Sequence, residues 1–227
     1  MKTIAKIHTP FREKFGIPRQ SGLAAVPGRI VFEKPYRNPD ALRGLEGFSH
    51  LWLIFSFSES KREEFSPTVR PPRLGGNRRM GVFATRSPFR PNAIGLSCVR
   101  LEKIEYTERG PEILVRGADL LDGTPILDIK PYLPLADCHP EAIGGFAEDT
   151  ADYALTVRFS EGQEEKIDAE ALSVIREILS EDPRPSYQSD PERVYHLDYA
   201  QYAIDFSVAD RILTVTGVSV TERKDKR

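Results

Sequence analysis

A chain of 227 residues with 40% hydrophobic side chains can bury a true core, and its length allows one large domain or one domain with a small companion. The net charge of −2 lacks the overall basic footprint of a nucleic-acid binder, yet a whole-chain total does not exclude a local basic face. No apolar run approaches bilayer-spanning length, which argues against a membrane protein. Cys98 and Cys138 lack paired spacing and the N-terminus MKTIAKIHTP lacks an apolar signal segment, so a reducing cytoplasm is the default expectation.

In chain order, Gly28–Glu33 is a short strand candidate. Ser49–Phe57, SHLWLIFSF, is too apolar for a half-exposed strand and reads as a buried one. Ile94–Tyr106 reads as a long strand and Glu112–Arg116 as a short one. The Asp-Gly pair in Leu121-Asp122-Gly123-Thr124 predicts a tight hairpin, joining an extended segment before it to Pro125–Lys130 after it, with Pro131 as the stop. Asp168–Glu181 is the one clear helix: Leu172, Ile175, Ile178 and Leu179 form an apolar stripe, Asp168 caps the start, and Asp182-Pro183 ends it. Val194–Leu197, Tyr202–Val208 and Arg211–Val218 follow as strands, the last two joined at Ala209-Asp210.

Many strands without alternating helices favour a barrel or curled β domain over a doubly wound sheet. The expected fold is mainly β: a β-barrel domain over residues 1–145, then a small α+β domain over 146–227. The linker falls near Pro140–Thr150, where glycine and acidic residues replace periodic apolar ones.

The most unusual segment is Arg70–Ser97, RPPRLGGNRRMGVFATRSPFRPNAIGLS. Six arginines are interleaved with prolines and glycines, and no acidic residue lies between Glu64 and Glu102. Rigid, non-repetitive backbone carrying guanidinium groups suits carboxylate or phosphate recognition, and the plain alternative is a long solvated basic loop. Glu141–Asp182 is acidic by contrast. No dinucleotide fingerprint, phosphate loop or zinc-ligand spacing is present. His8, His50, His139 and His196 are scattered, and His50 and Cys98 read as packed strand residues. Taken alone, Asp122-Gly123 is a turn and Asp128 a solvent-facing strand residue.

GVFATRSPFRPNAIGLS, with FSHLWLIFSF before it and LDGTPILDIKPYLP after it, resembles the TsaA-like family, known as TrmO. The likeness runs from about Ile4 to Asp137, and DPRPSY at Asp182–Tyr187 resembles the family's bacterial C-terminal extension. Members are S-adenosylmethionine-dependent tRNA methyltransferases that modify threonylcarbamoyl-adenosine beside the anticodon. The resemblance implies a barrel that binds S-adenosylmethionine through its loops without a metal, in a homodimer with sites close to the subunit interface. The implied cofactor contacts are Arg19, Gln20 and Ser21 in PRQSG, Ser58 and Glu59 after the apolar strand, Arg86, Leu96, and Asp122, Gly123, Thr124 and Pro125.

For the reaction, Asp128, Lys130 and Tyr132 in DIKPYLP are candidates for substrate contact or proton removal, and the sequence does not choose among them. A threonyl carboxylate beside the target nitrogen would give Arg78, Arg79, Arg90 or Lys130 an anion to read. Arg184, Tyr187 and Arg193 in the extension would suit anticodon-loop bases and phosphates. Two other readings stay open: an S-adenosylmethionine-dependent enzyme acting on a small anionic metabolite, and a non-catalytic RNA-binding module.

Overall fold

Six antiparallel strands close into a barrel in the order β1-β2-β7-β6-β3-β8. The strands are β1 (Ala5–His8), β2 (Pro27–Phe32), β3 (His50–Ser56), β6 (Ile94–Thr107), β7 (Gly110–Arg116) and β8 (Thr124–Pro131); β4 (Thr68–Val69) and β5 (Met80–Gly81) form a separate two-stranded ribbon. The computed structural model describes residues 1–60, 64–71, 78–150, 153–185, 188 and 190–221, the side chains of 149 and 150 excepted.

The barrel core follows from alternation along each strand. On β3, Leu51, Leu53 and Phe55 are buried and lie opposite Val99, Ser97 and Gly95 of β6. Trp52 and Ile54 point to the outer face and are only partly covered. The expectation of a strand buried on both faces is corrected here, because an antiparallel barrel wall buries its inner face alone. The predicted long strand β6 forms, and it serves two neighbours. Its first half pairs with β3 and its second, from Arg100 on, with β7, in a pairing whose register shifts between Leu101 and Lys103.

The Asp122-Gly123 turn also forms: the Thr124 amide donates to the Leu121 carbonyl at 3.2 Å, and Gly123 takes a φ of 77°. It is not a hairpin. The preceding residues belong to no strand, and β8 leaves the turn to pair with β1 and β3. The amides of Asp122 and Gly123 donate instead to the carbonyls of Phe11 and Ile7. These bonds tie the turn to the end of β1 and to the segment that follows it. The four-residue strands β1 and β9 (Thr156–Phe159) were not anticipated; each has too few inward residues to leave a period in the sequence.

The C-terminal part is a four-stranded sheet in the order β10-β11-β12-β9, with β10 (Tyr195–Tyr199), β11 (Tyr202–Ala209) and β12 (Ile212–Val220). A single turn, α1 (Pro134–Asp137), precedes it, and α2 (Ala169–Ser180) buries Val174, Ile175, Ile178 and Leu179. Asp168 caps α2 by accepting from the Ala171 amide at 2.9 Å. The hairpin between β11 and β12 turns on Asp210 and Arg211, with φ of 48° and 61°; two left-handed residues match the twist of the paired strands. No helix among the described residues is long and apolar enough to cross a membrane.

The barrel and the second sheet meet through residues 9–26, the connection between β1 and β2. Phe11 packs edge-on against Tyr199, Phe15 stacks on Phe206, and the Ala25 amide donates to Glu177 of α2 at 2.6 Å. The PRQSG segment is therefore held between two layers rather than hanging free.

Candidate active site

A cleft of 500 Å³ opens where the connection after β1, the end of β3, the start of β6 and residues 119–124 converge. That size is ordinary for a small-molecule site. Phe55, Phe57, Ile94, Leu96 and Leu120 give it apolar walls. Phe55 and Phe57 meet edge-to-face at 5.0 Å. Glycine is required at position 95, since a Cβ there would lie 2.2 Å from the Phe55 ring.

Its polar groups form a chain of contacts. The buried Ser97 hydroxyl donates to Asp119 Oδ1 at 2.6 Å. The Ser21 amide also bonds the Asp119 carboxylate, and the Arg86 charge acts on it. Burial nevertheless prevails over these bonds and pushes the Asp119 carboxyl above its usual range. Arg86 Nη1 donates to Gln20 Oε1 at 2.5 Å, and Gln20 Nε2 donates to the Arg19 carbonyl at 2.6 Å. Arg19 Nη2 in turn donates to the main-chain carbonyls of Asp182 and Arg184, at 2.9 and 3.1 Å. Across the cleft, Lys14 Nζ donates to the Glu59 carbonyl at 2.6 Å and reaches Ser60 Oγ at 3.2 Å.

Of the residues implied as cofactor contacts, Arg19, Gln20, Ser58, Glu59, Arg86, Leu96 and Thr124 line this cleft. Ser21, Asp122, Gly123 and Pro125 do not. Ser21 serves through its amide, and Asp122 latches its turn, accepting from the Thr9 amide and pairing with His8 Nδ1, both at 3.1 Å. Arg90, expected to read substrate, lines the cleft with Nη1 on the Thr85 carbonyl at 3.0 Å. Arg79 lies on the exposed ribbon, donating to Thr68 Oγ1 at 3.1 Å, next to the exposed Arg78. Among the described residues, none of Arg78, Arg79, Arg86 and Arg90 forms an ion pair, although the Arg86 charge acts on Asp119.

Asp128, Lys130 and Tyr132 stand apart from the cleft. Asp128 and Lys130 pair with each other at 3.3 Å and lie opposite Ile54 and Trp52 of β3. The Tyr132 ring packs against Trp52 and His50. In the extension, Arg184 is engaged by Asp182, Arg193 lies over the Tyr195 ring at 5.2 Å, and Tyr187 falls outside the described residues.

Sequence reasoning missed Asp119, Ser97, Thr85 and Lys14. Asp119 carries a usable signal: it interrupts the apolar run Ala118–Leu121, where an ionisable group needs a reason to be even partly buried. Lys14 carries none. No three His, Cys, Asp or Glu side chains among the described residues converge as metal ligands would.

An apolar slot with a guanidinium at one wall and carboxylates at others fits a molecule that joins an aromatic base to a zwitterionic tail. That is the chemical make-up of S-adenosylmethionine. The chain matches the tRNA-methyltransferase O N-terminal domain over residues 6–138 and the TrmO C-terminal domain over residues 152–221. It is 44% identical over 216 residues to the tRNA (adenine(37)-N6)-methyltransferase of Escherichia coli strain K12, covering 92% of this chain and 91% of that protein. It is also 44% identical over 201 residues to a putative S-adenosylmethionine-dependent methyltransferase, RcsF, of Pseudomonas aeruginosa, covering 85% of each. The crystal structure of TrmO from Pseudomonas aeruginosa superposes with a TM-score of 0.76 at 34% identity, over 96% of this chain and 97% of that one.

Proposed function

The chain belongs to the TrmO family, and we propose that it is a tRNA methyltransferase that places a methyl group on N6 of adenosine 37, with S-adenosylmethionine as donor. The observation that carries the reading is the cleft itself, where Arg86, Gln20, Glu59 and Asp119 meet apolar walls on the segments that resemble the family. When bound, S-adenosylmethionine supplies an activated methyl group on a sulfonium.

The chain's own residues then have separable tasks. Arg86, oriented by Gln20, grips the carboxylate of the donor's amino-acid tail, and Glu59 accepts from ribose hydroxyls. Asp119 brings a desolvated negative charge to a cleft that receives a cation, where low dielectric strengthens the attraction. Phe55, Phe57 and Leu96 exclude water and hold the donor in place. Such positioning contributes most of the rate in a displacement from an activated donor. Asp119 and Glu59 are better placed than Asp128 to take the proton from the attacking nitrogen, because both line the cleft.

The substrate inferred is adenosine already carrying the threonylcarbamoyl group, whose carboxylate is read by Arg90, with Arg78 and Arg79 nearer the RNA backbone. The same reading puts the protein in the cytoplasm as a homodimer, with the exposed Leu133, Leu135 and Ile143 offered to a second copy. Mass spectrometry of tRNA nucleosides tests it. Incubation with S-adenosylmethionine should add a single methyl to threonylcarbamoyl-adenosine in modified tRNA and leave an unmodified transcript unchanged. Equal turnover of the two RNAs would remove the carboxylate argument, and no methylation of either would remove the reading.

A further inference from the structure

Phe65 and Phe83 stack on each other in solvent, with ring centroids 6.5 Å apart and planes inclined by 27°. They are 56% and 74% exposed. A single exposed phenylalanine is ordinary on a protein surface; two stacked on a fixed support call for a partner. The support is the β4–β5 ribbon, in which Thr68 faces Gly81 and Val69 faces Met80. Val82 is buried beneath it and donates its amide to the Pro67 carbonyl at 2.9 Å. Thr85 closes the turn with its amide and hydroxyl on the Val82 carbonyl, at 3.2 and 2.9 Å. Phe83 is two residues from Thr85 on one wall of the cleft, and Phe65 five residues beyond Ser60 on the other.

Glu64 directly precedes Phe65, and from there to Glu102 the charge along the chain is of one sign. Arg78 and Arg79 directly precede β5, and Arg79 donates to Thr68 of β4 at 3.1 Å. We propose that the Phe65–Phe83 pair is a stacking platform for an unpaired nucleobase of the RNA loop that carries the target adenosine, with Arg78 and Arg79 on the adjoining phosphates. The proposal rests on the reading of tRNA as substrate. Aromatic faces beside arginines are what single-stranded RNA binding needs, since every base offers a π-face and every linkage an anion.

The test compares the full-length wild type with Phe83→Ala, Phe65→Ala and Phe83→Trp. The probes are threonylcarbamoylated tRNA and an anticodon stem-loop carrying 2-aminopurine in its loop. The alanine variants should raise KM for tRNA about 5- to 150-fold, with kcat, S-adenosylmethionine affinity and melting temperature nearly unchanged. Phe83→Trp should keep the wild-type KM, and 2-aminopurine fluorescence should be quenched by wild type and Phe83→Trp but not by Phe83→Ala. Wild-type KM in both alanine variants overturns the platform. So does a raised KM that tracks a fall in sedimenting mass, which would assign the pair to self-association. Should the wild type prove inactive on tRNA, stem-loop binding still decides: binding that depends on Phe83 retains the platform, and equal or absent binding removes it.

Discussion

Arg184 grips the Asp182 carboxylate with two parallel hydrogen bonds, Nε to Oδ1 at 2.8 Å and Nη2 to Oδ2 at 2.9 Å, in a pair whose side chains are each 11% exposed. Burial works against the Asp182 charge, but Arg184 and the Tyr153 hydroxyl outweigh it and hold the carboxyl below its ordinary range. The main-chain carbonyls of both residues also receive Arg19 from the cleft wall. This pair thus joins the C-terminal extension to the PRQSG segment.

Removing one partner of a buried pair strands the other, at a cost of roughly 3–5 kcal/mol. Arg184→Ala should therefore lower the melting temperature and weaken S-adenosylmethionine binding together. The depressed Asp182 carboxyl adds a signed pH effect: its stabilisation is present above the ordinary carboxylate range and is lost as pH falls through its folded value. Thermal melts from neutral to acid pH should converge for wild type and variant. A variant that melts like wild type yet needs far more tRNA would return Arg184 to the RNA-contact role that DPRPSY suggests.

On the outer face of the C-terminal sheet, His196 bonds Asp205 through Nδ1 at 2.7 Å and Asp198 through Nε2 at 3.2 Å. The Asp205 bond is the main reason its pKa lies above the ordinary 6.5, with partial burial opposing. A raised folded pKa means that the contribution is complete below about 6.5 and is lost as pH rises through the folded midpoint. Imidazole resonances followed by NMR should place that midpoint above the free-histidine value, and Asp205→Asn should bring it down. A midpoint unmoved by Asp205→Asn would mean the bond does not persist in solution.

How far the sequence reached depended on what each residue's signal encodes. The helix capped by Asp168 was legible because its apolar stripe and capping chemistry are local, and β3 because its apolar run is, although that run hid the alternation of its two faces. The Asp122-Gly123 turn was legible as a turn but not in its connection, since the partners of β8 are β1 and β3, far off in the chain. Gln20 was named by resemblance alone and Arg86 by the arginine-rich segment as well, but their contact, across 66 residues, is made only by the fold. Asp119 went unnoticed because its Ser97 and Ser21 contacts are likewise tertiary. The same limit applies to Arg184: its neighbour Asp182 was read as a helix stop, and nothing in DPRPSY told an internal ion pair from an RNA contact.

Arg86 should be the largest single cofactor contact among the arginines. Replacing it with alanine should weaken S-adenosylmethionine binding by about 1.5–3 kcal/mol, the range for a hydrogen bond to a charged group. Lysine should restore little, because a point charge cannot hold Gln20 and a carboxylate in one plane. Calorimetry on the three proteins measures this directly, and an Arg86→Lys variant with wild-type affinity would show that charge alone matters there.

The Asp119 charge makes a sharper demand, because its effect depends on whether the bound molecule is a cation. Ser97 and the Ser21 amide hold the carboxylate in the cleft, and partial burial weakens the screening of its field. Asp119→Asn preserves the shape and the Ser97 hydroxyl's acceptor but removes the charge. S-adenosylmethionine carries a sulfonium; S-adenosylhomocysteine, its demethylated product, carries a neutral thioether and is otherwise the same size and shape. The variant should lose about ten-fold or more in affinity for the cation, the equivalent of 1.4 kcal/mol, and distinctly less for the thioether. A general loosening of the cleft would weaken both alike. Parallel titrations of wild type and variant with the two molecules therefore separate an electrostatic role from a packing one, and equal losses would assign Asp119 to holding the Ser21 loop rather than to offsetting the sulfonium.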